Sequence, residues 1–181
     1  MKILEFGLWI TGALMLAMFV GAHAWAEAER QSAVAAFSNA DPTVSVGPGL
    51  SPLAVLRIGS IALEVPVYDG TAEHNLYRGA GLVEGTALPG AQGNTGIAAH
   101  RDSFFRGLED VAIGDLIELD TPGGRHAYRV TALTVVEPAD IHVLADTGER
   151  VVTLVTCFPF YFVGSAPQRY IVRAEAVEAH L

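Results

Sequence analysis

The stretch "TLVTCFPF", residues 153–160, decides how the rest of this chain is read. Its threonines and valine suit a pleated, half-buried surface, and Pro159 cannot donate to a central ladder, so the stretch reads as a strand ending near Cys157. Cys157 is the only cysteine in the chain, and it stands at a strand mouth, where reactive groups are more usual than core filler. Comparable β-type runs lie on both sides: "AVLRI" (54–58), "IALEVPVY" (61–68), "NTGIAAH" (94–100), "DLIELD" (115–120), "HAYRVTALTVV" (126–136), "RVVTLVT" (150–156) and "RYIVRAEAV" (169–177). The turn "TPGG" at 121–124 joins two of them as a hairpin. Short strands at this spacing predict a mainly β domain, an antiparallel sandwich or barrel. Helical composition is sparse, and "AEHNLYRGAGL" (72–82) and "SFFRGLED" (103–110) are expected as short helices within connections.

The chain has 181 residues, 51% hydrophobic and 17% charged, which suits one folded domain plus an apolar segment. The formal charge is -9, Lys2 is the only lysine, and the ten arginines are scattered. Nucleic acid is therefore not an expected partner, because phosphate neutralisation needs clustered cations. Between Glu5 and Glu27 lie 21 residues, "FGLWITGALMLAMFVGAHAWA", with no formal charge apart from His23. About 20 apolar residues span a bilayer as a helix, so residues 1–26 read as a single-pass anchor. Lys2 precedes it and "EAER" follows, which places the N-terminus in the cytoplasm and the remainder outside. A cleaved signal peptide is the rival reading, since "AHA" and "AWA" fit an A-x-A pattern, but its apolar region would run only about 7–15 residues. Residues 27–52 read as a stalk with helix-favouring composition followed by an extended Pro/Gly-rich linker, "DPTVSVGPGLSP" (41–52). The folded domain is expected over 53–181.

Export sharpens the question of Cys157, because thiols outside the cytoplasm are normally paired and a single cysteine has no partner in its own chain. It is an intermolecular bridge, a buried inert thiol or a nucleophile. A useful thiol nucleophile needs a proton acceptor and a donor for the developing oxyanion. Of six histidines, His23 falls in the apolar segment and His180 beside the C-terminus; His74 and His142 fall in polar connections, and His126 beside a hairpin turn. His100 closes the "GIAAH" run, so it too stands where a β-element ends. Arg169 opens the strand after the cysteine's loop and supplies fixed donors that cannot act as base. Arg101 and Arg106 compete with it but lie on the histidine's side. No C-x-x-C, H-x-x-x-H or carboxylate cluster predicts a metal; "DTGER" and the acids near 109–120 could meet Ca²⁺, without the spacing of an EF-hand loop. "GAGLVEG" lacks the lysine of a phosphate loop. No cofactor is expected, and Ca²⁺ dependence stays open.

Together these residues resemble the sortases, membrane-anchored cysteine transpeptidases of bacterial envelopes. "TLVTC" fits the family's TLxTC signature, "GNTGIAAHRDSFFRGL" resembles the segment around its histidine, and "PQRYIV" the segment bearing its arginine. The resemblance runs from about Leu53 to Glu175, and the order His100, Cys157, Arg169, at separations of 57 and 12 positions, is sortase-like. "EGTALPGAQGN" and "CFPFYFVGSAPQR" resemble most the class D and proteobacterial branches. One position departs: those branches often carry glycine before the histidine, and Ala99 stands there. The resemblance implies an eight-stranded β-barrel with Cys157 as nucleophile, His100 as proton donor and acceptor, and Arg169 as stabiliser of oxyanion or substrate. It implies cleavage of an LPxT-like sorting signal near the C-terminus of an exported protein, through a thioacyl enzyme, and transfer to an amine acceptor in the envelope. Three alternatives stand beside it. An L,D-transpeptidase would carry serine and histidine ahead of a "GC" motif, which is absent, and a papain-like protease would carry its cysteine on a helix. A membrane-anchored β-domain with an inert thiol would act as a scaffold.

Overall fold

The computed structural model describes residues 2–39, 51–162 and 164–177. The linker expected over 41–52 falls outside the described residues except for Ser51 and Pro52, and so does His180. Helix α1 (Lys2–Asn39) is followed by eight strands: β1 (Ala54–Ile58), β2 (Leu63–Asp69), β3 (Ala80–Leu82), β4 (Asn94–Ala98), β5 (Leu116–Thr121), β6 (Gly124–Val136), β7 (Val151–Phe158) and β8 (Gln168–Ala176). A short helix, α2 (Glu73–Arg78), sits between β2 and β3.

The strands close into a barrel in the order β1-β2-β3-β4-β7-β8-β6-β5. Pairing is antiparallel except for β2 with β3 and β4 with β7, which are parallel. β5 and β6 form the expected hairpin, Thr121 opposite Gly124. Alternation along the strands fills the interior: Leu56 and Ile58 from β1, Val65 and Val67 from β2, Ile97 from β4, Val152 and Leu154 from β7, and Val172 and Ala174 from β8 pack as one cluster. Burying each such aliphatic side chain contributes roughly 1.5–3 kcal/mol, so this cluster is the main source of cohesion.

The sequence "VVTLVT" shows little alternation because β7 is covered on both sides. Its Val152 and Leu154 enter the core, while Thr153, buried on the outer face, donates its hydroxyl to Asn94 Oδ1 at 2.8 Å. Asn94 in turn donates to the carbonyls of Val143 and Ala145, at 3.0 and 3.2 Å. Those two bonds pin the β6–β7 connection, including a 3₁₀ turn over Ile141–Leu144, against the outside of β4. Gly96 is the residue that permits this approach, since a Cβ there would come within 2.7 Å of the Leu144 side chain.

Two helical expectations are corrected. In "AEHNLYRGAGL" the helix stops at Arg78, and Ala80–Leu82 is the strand β3. The reason is close packing: a Cβ at Gly81 would approach the Gly70 carbonyl oxygen to 2.5 Å, so glycine lets β3 slide against the end of β2. Tertiary contact overrides the helical propensity of the segment. In "SFFRGLED" a turn leads into a 3₁₀ helix over Arg106–Asp110 rather than an α-helix, anchored by the fully buried Phe105 and Leu108.

Residues Phe6–Ser32 of α1 form a stretch long and apolar enough to cross a bilayer by length and composition, and its residues 6–25 are exposed. At its C-terminal end the helix meets the barrel. Val34 is buried there, and Arg30 donates to the carbonyl of Glu64 at the start of β2.

Candidate active site

The parallel β4–β7 pair and the antiparallel β7–β8 pair bring three distant parts of the chain together. Ala98 lies opposite Val155, and Cys157 lies directly opposite Arg169. Strand side chains alternate faces with period two. On β7, Val152 and Leu154 are interior, so Thr153, Val155 and Cys157 belong to the outer face; on β8, Val172 and Ala174 are interior, so Arg169 shares that outer face. His100 follows Ala98 by two positions, which continues the outer row of β4. The thiol, imidazole and guanidinium therefore occupy one outer strip at one end of the barrel. All three line a single cleft of about 360 Å³, together with Arg101, Asp102 and the 164–166 loop.

Two positions differ in detail from the sequence reading. β4 ends at Ala98, so His100 stands two residues past the strand instead of closing it. Cys157 is inside β7, one residue before its end, and the Phe158–Pro159 peptide bond that follows is cis.

The backbone at each site residue is held by its neighbours. Ala99 N–H donates to Val155 O at 3.3 Å, and the Ala99 carbonyl accepts the buried Thr156 hydroxyl at 2.8 Å. The residue before the histidine is thus bonded to the residue before the cysteine. Ala99, at the position where glycine is frequent, is accommodated with its side chain in the core. The His100 carbonyl accepts Phe105 N–H at 3.1 Å, which closes the turn over 101–105 on its buried phenylalanine.

Helix α2 adds two groups that sequence reasoning missed. Its buried Asn75 donates to the carbonyls of Asp69 and Gly70, at 2.7 and 3.1 Å, and so fixes the helix on the end of β2. Glu73 then sits with Oε1 at 3.6 Å from His100 Nε2, an ion pair whenever the imidazole is protonated. The Tyr77 ring, one turn on, lies 5.9 Å from the imidazole, centroid to centroid. The i, i+4 spacing of Glu73 and Tyr77 was available in the sequence, but nothing local to His100 pointed to a helix over 20 residues upstream.

Arg169 Nη1 donates to the carbonyls of Ala166 and Gln168, at 3.3 and 3.0 Å. Its Nη2 and Nε meet no acceptor among the described residues, so the guanidinium is oriented by its own loop while donors remain available to the cleft. Arg101 and Arg106 have other work. Arg101 donates to the carbonyls of Pro159, Phe162 and Gly164, and Arg106 to that of Phe160. His74 and His142 are exposed, His126 is half-buried beside the β5–β6 turn, and His23 is on the apolar helix. None of these four lines the cleft. Among the described residues no three His, Cys, Asp or Glu side chains converge as a metal site. In "DTGER", Asp146 accepts the N–H of Gly148 at 2.9 Å in a local turn.

A closed barrel thus carries a half-exposed thiol, an imidazole and a guanidinium on one outer strip. The sortase-domain family model matches residues 56–177, and the chain belongs to the sortase family. Among characterised relatives, sortase D of Bacillus subtilis (strain 168) is 31% identical over 124 residues, covering 68% of this chain and 63% of that protein. Sortase A of Bacillus anthracis is 32% identical over 126 residues, covering 67% and 58%. The chain thus spans about three fifths of the length of these relatives. Among solved structures, a Clostridium perfringens sortase D5 transpeptidase superposes with a TM-score of 0.71 at 26% identity, over 84% of this chain and 98% of that one. Sortase C from Clostridium perfringens SM101 does so with a TM-score of 0.65 at 31% identity, over 72% of each. The family match does not favour the L,D-transpeptidase, papain-like or scaffold alternatives.

Proposed function

We propose that this chain is a membrane-anchored cysteine transpeptidase that cleaves an LPxT-like sorting signal in exported proteins and transfers the new carboxyl end to an amine. The observation that carries the reading is the register: Cys157 opposite Arg169, with His100 on the adjoining row, in one cleft. In the first step the Cys157 thiol passes its proton to His100 as its sulfur bonds to the carbonyl carbon of the Thr-x peptide, and the carbonyl π pair moves to oxygen. Arg169 donates hydrogen bonds to that oxygen or to the adjacent signal backbone. The C–N bond then breaks as His100 delivers a proton to the departing amine, leaving a thioacyl enzyme. In the second step the acceptor amine attacks the thioester carbon and gives a proton to His100; the carbonyl re-forms as the C–S bond breaks, and His100 returns that proton to the Cys157 sulfur. Water in place of the amine gives hydrolysis.

The remaining features fit this reading. Residues 1–26 serve as the single-pass anchor, 27–52 as stalk and linker, and 53–181 as the catalytic unit, held outside the cytoplasmic membrane where exported proteins pass. The steps use only protein side chains, with no cofactor. Helix Phe6–Ser32 supports the anchor by length and apolarity, and the relatives named above support the chemistry.

The test is to incubate the full chain in detergent micelles with a Leu-Pro-x-Thr-x pentapeptide library, with and without triglycine. A thioacyl mass on Cys157 and a triglycine-extended product are expected in the wild type and absent in Cys157→Ala. A folded protein that yields neither product from any library member refutes the proposal.

A further inference from the structure

The loop leaving Cys157 is gripped from the histidine's side of the cleft. Arg101, the residue after His100, donates Nη1 to Pro159 O at 3.2 Å and Nη2 to Phe162 O at 2.7 Å and Gly164 O at 3.0 Å. Arg106 donates Nη1 to Phe160 O at 2.9 Å. Four carbonyls of one short loop are thus held by two arginines of the 101–106 turn. These carbonyls lie beyond the end of β7 and have no ladder to satisfy them, and charge-assisted bonds from a planar fork are stronger than neutral ones. The same cations orient the loop's exposed rings. The Arg106 guanidinium carbon lies 3.8 Å from the centre of the Tyr161 ring, and that of Arg101 lies 5.9 Å from the Phe162 ring. Tyr161 closes the circuit by donating its hydroxyl to Glu109 at 2.9 Å.

We infer that Arg101 is a positioning residue for the transpeptidation proposed above, on which this inference rests. It makes the loop after the cysteine a fixed wall of the peptide groove, and it couples that wall to the backbone of His100. Three of its four Nη N–H groups are taken up by the loop, so its part is assigned to the loop carbonyls and not to the reacting carbonyl. The two halves of the site, one at the end of β4 and one at the end of β7, are then tied twice: inside the barrel by Thr156 to Ala99, and over the cleft by Arg101. Arg106 is the lesser member of the grip, because it holds one loop carbonyl where Arg101 holds three.

Arg101→Met preserves the apolar stem and removes every donor; Arg101→Lys leaves a single ammonium that cannot span three carbonyls. The full-length variants are compared with wild type in detergent micelles by hydrogen-exchange mass spectrometry, thermal unfolding, and kinetics with the pentapeptide that best acylates the wild type. In the Met variant, exchange over 158–162 and 164–165 is expected to quicken by at least about tenfold, the effect of losing one or more charge-assisted bonds, while the strands exchange as before. KM should rise about tenfold or more, with kcat within about threefold, because the groove wall is lost while thiol and imidazole remain. The Lys variant should fall between, and it serves as the folded comparison if Met proves unstable. Unchanged exchange in the loop overturns the inference, as does faster exchange with unaltered kcat/KM. A wild type that no peptide acylates refutes the enzyme reading itself, a result recognisable because it does not depend on Arg101.

Discussion

Replacing Thr156 by valine tests how the two strands of the site are held in register. Thr156 is 2% exposed, and its hydroxyl donates to the carbonyl of Ala99, itself 6% exposed, at 2.8 Å. Valine has nearly the same shape, so the change creates no cavity; it deletes a donor and leaves a buried carbonyl without that partner. The expected loss is about 1–3 kcal/mol, which lowers the unfolding midpoint by roughly 3–10 °C for a domain of this size. The effect on turnover should exceed the effect on folding. Ala99 and Thr156 immediately precede His100 and Cys157, and a misplacement of about 1 Å between reacting groups can cost on the order of a hundredfold in rate. Urea unfolding by circular dichroism, with thioacyl formation followed by mass spectrometry, measures both. Thr156→Ser, which keeps the hydroxyl, should retain most of each. The reasoning fails if Thr156→Val unfolds within about 0.5 kcal/mol of wild type, the range of an ordinary surface change, and acylates at the same rate.

Arg169→Lys retains charge but loses the guanidinium fork, so kcat/KM should drop by about a hundredfold or more with the melting temperature nearly unchanged; near-normal turnover would count against the assigned role. Gly81→Ala forces a Cβ to within 2.5 Å of the Gly70 carbonyl oxygen and should destabilise the barrel by about 1–3 kcal/mol through overpacking, measurable by calorimetry. Glu84 accepts the backbone N–H and the hydroxyl of Thr71, both at 3.0 Å, and these bonds hold its carboxyl below the usual carboxylate range. A lowered folded-state value stabilises above the unfolded value and is lost as pH falls through the folded one. The stability gap between wild type and Glu84→Gln should therefore be full at pH 6 and shrink toward pH 3, by a small amount because the site is exposed.

Much of the barrel was legible because its strands carry their own evidence: β-branched runs, turn residues between them, and a proline just past Cys157. The three candidate site positions stood out for a related reason, since each lies near the start or end of a β-run. What escaped was whatever depends on approach between segments distant in the chain. β3 has only three residues, two of them small, and its glycine made sense only once the Gly70 carbonyl was seen against it. Glu73 and Tyr77 reach His100 through α2, whose seat on β2 is set by the Asn75 side chain. Arg101 and Arg106 were weighed as oxyanion donors because their charge is visible in the sequence, whereas their acceptors are backbone carbonyls, which no residue letter encodes. Backbone groups must find partners when buried or crowded, and here they determine which arginine is left for the cleft.

The central claim is that sulfur, imidazole and guanidinium act on a single carbonyl. A crystal structure of the protein acylated on Cys157 by a sorting peptide tests it most directly. The acyl oxygen is expected within about 2.7–3.1 Å of an Arg169 guanidinium nitrogen, with the His100 ring over the thioester. An acyl oxygen turned toward the barrel wall, with Arg169 still bound only to its own loop and His100 facing away, would contradict it.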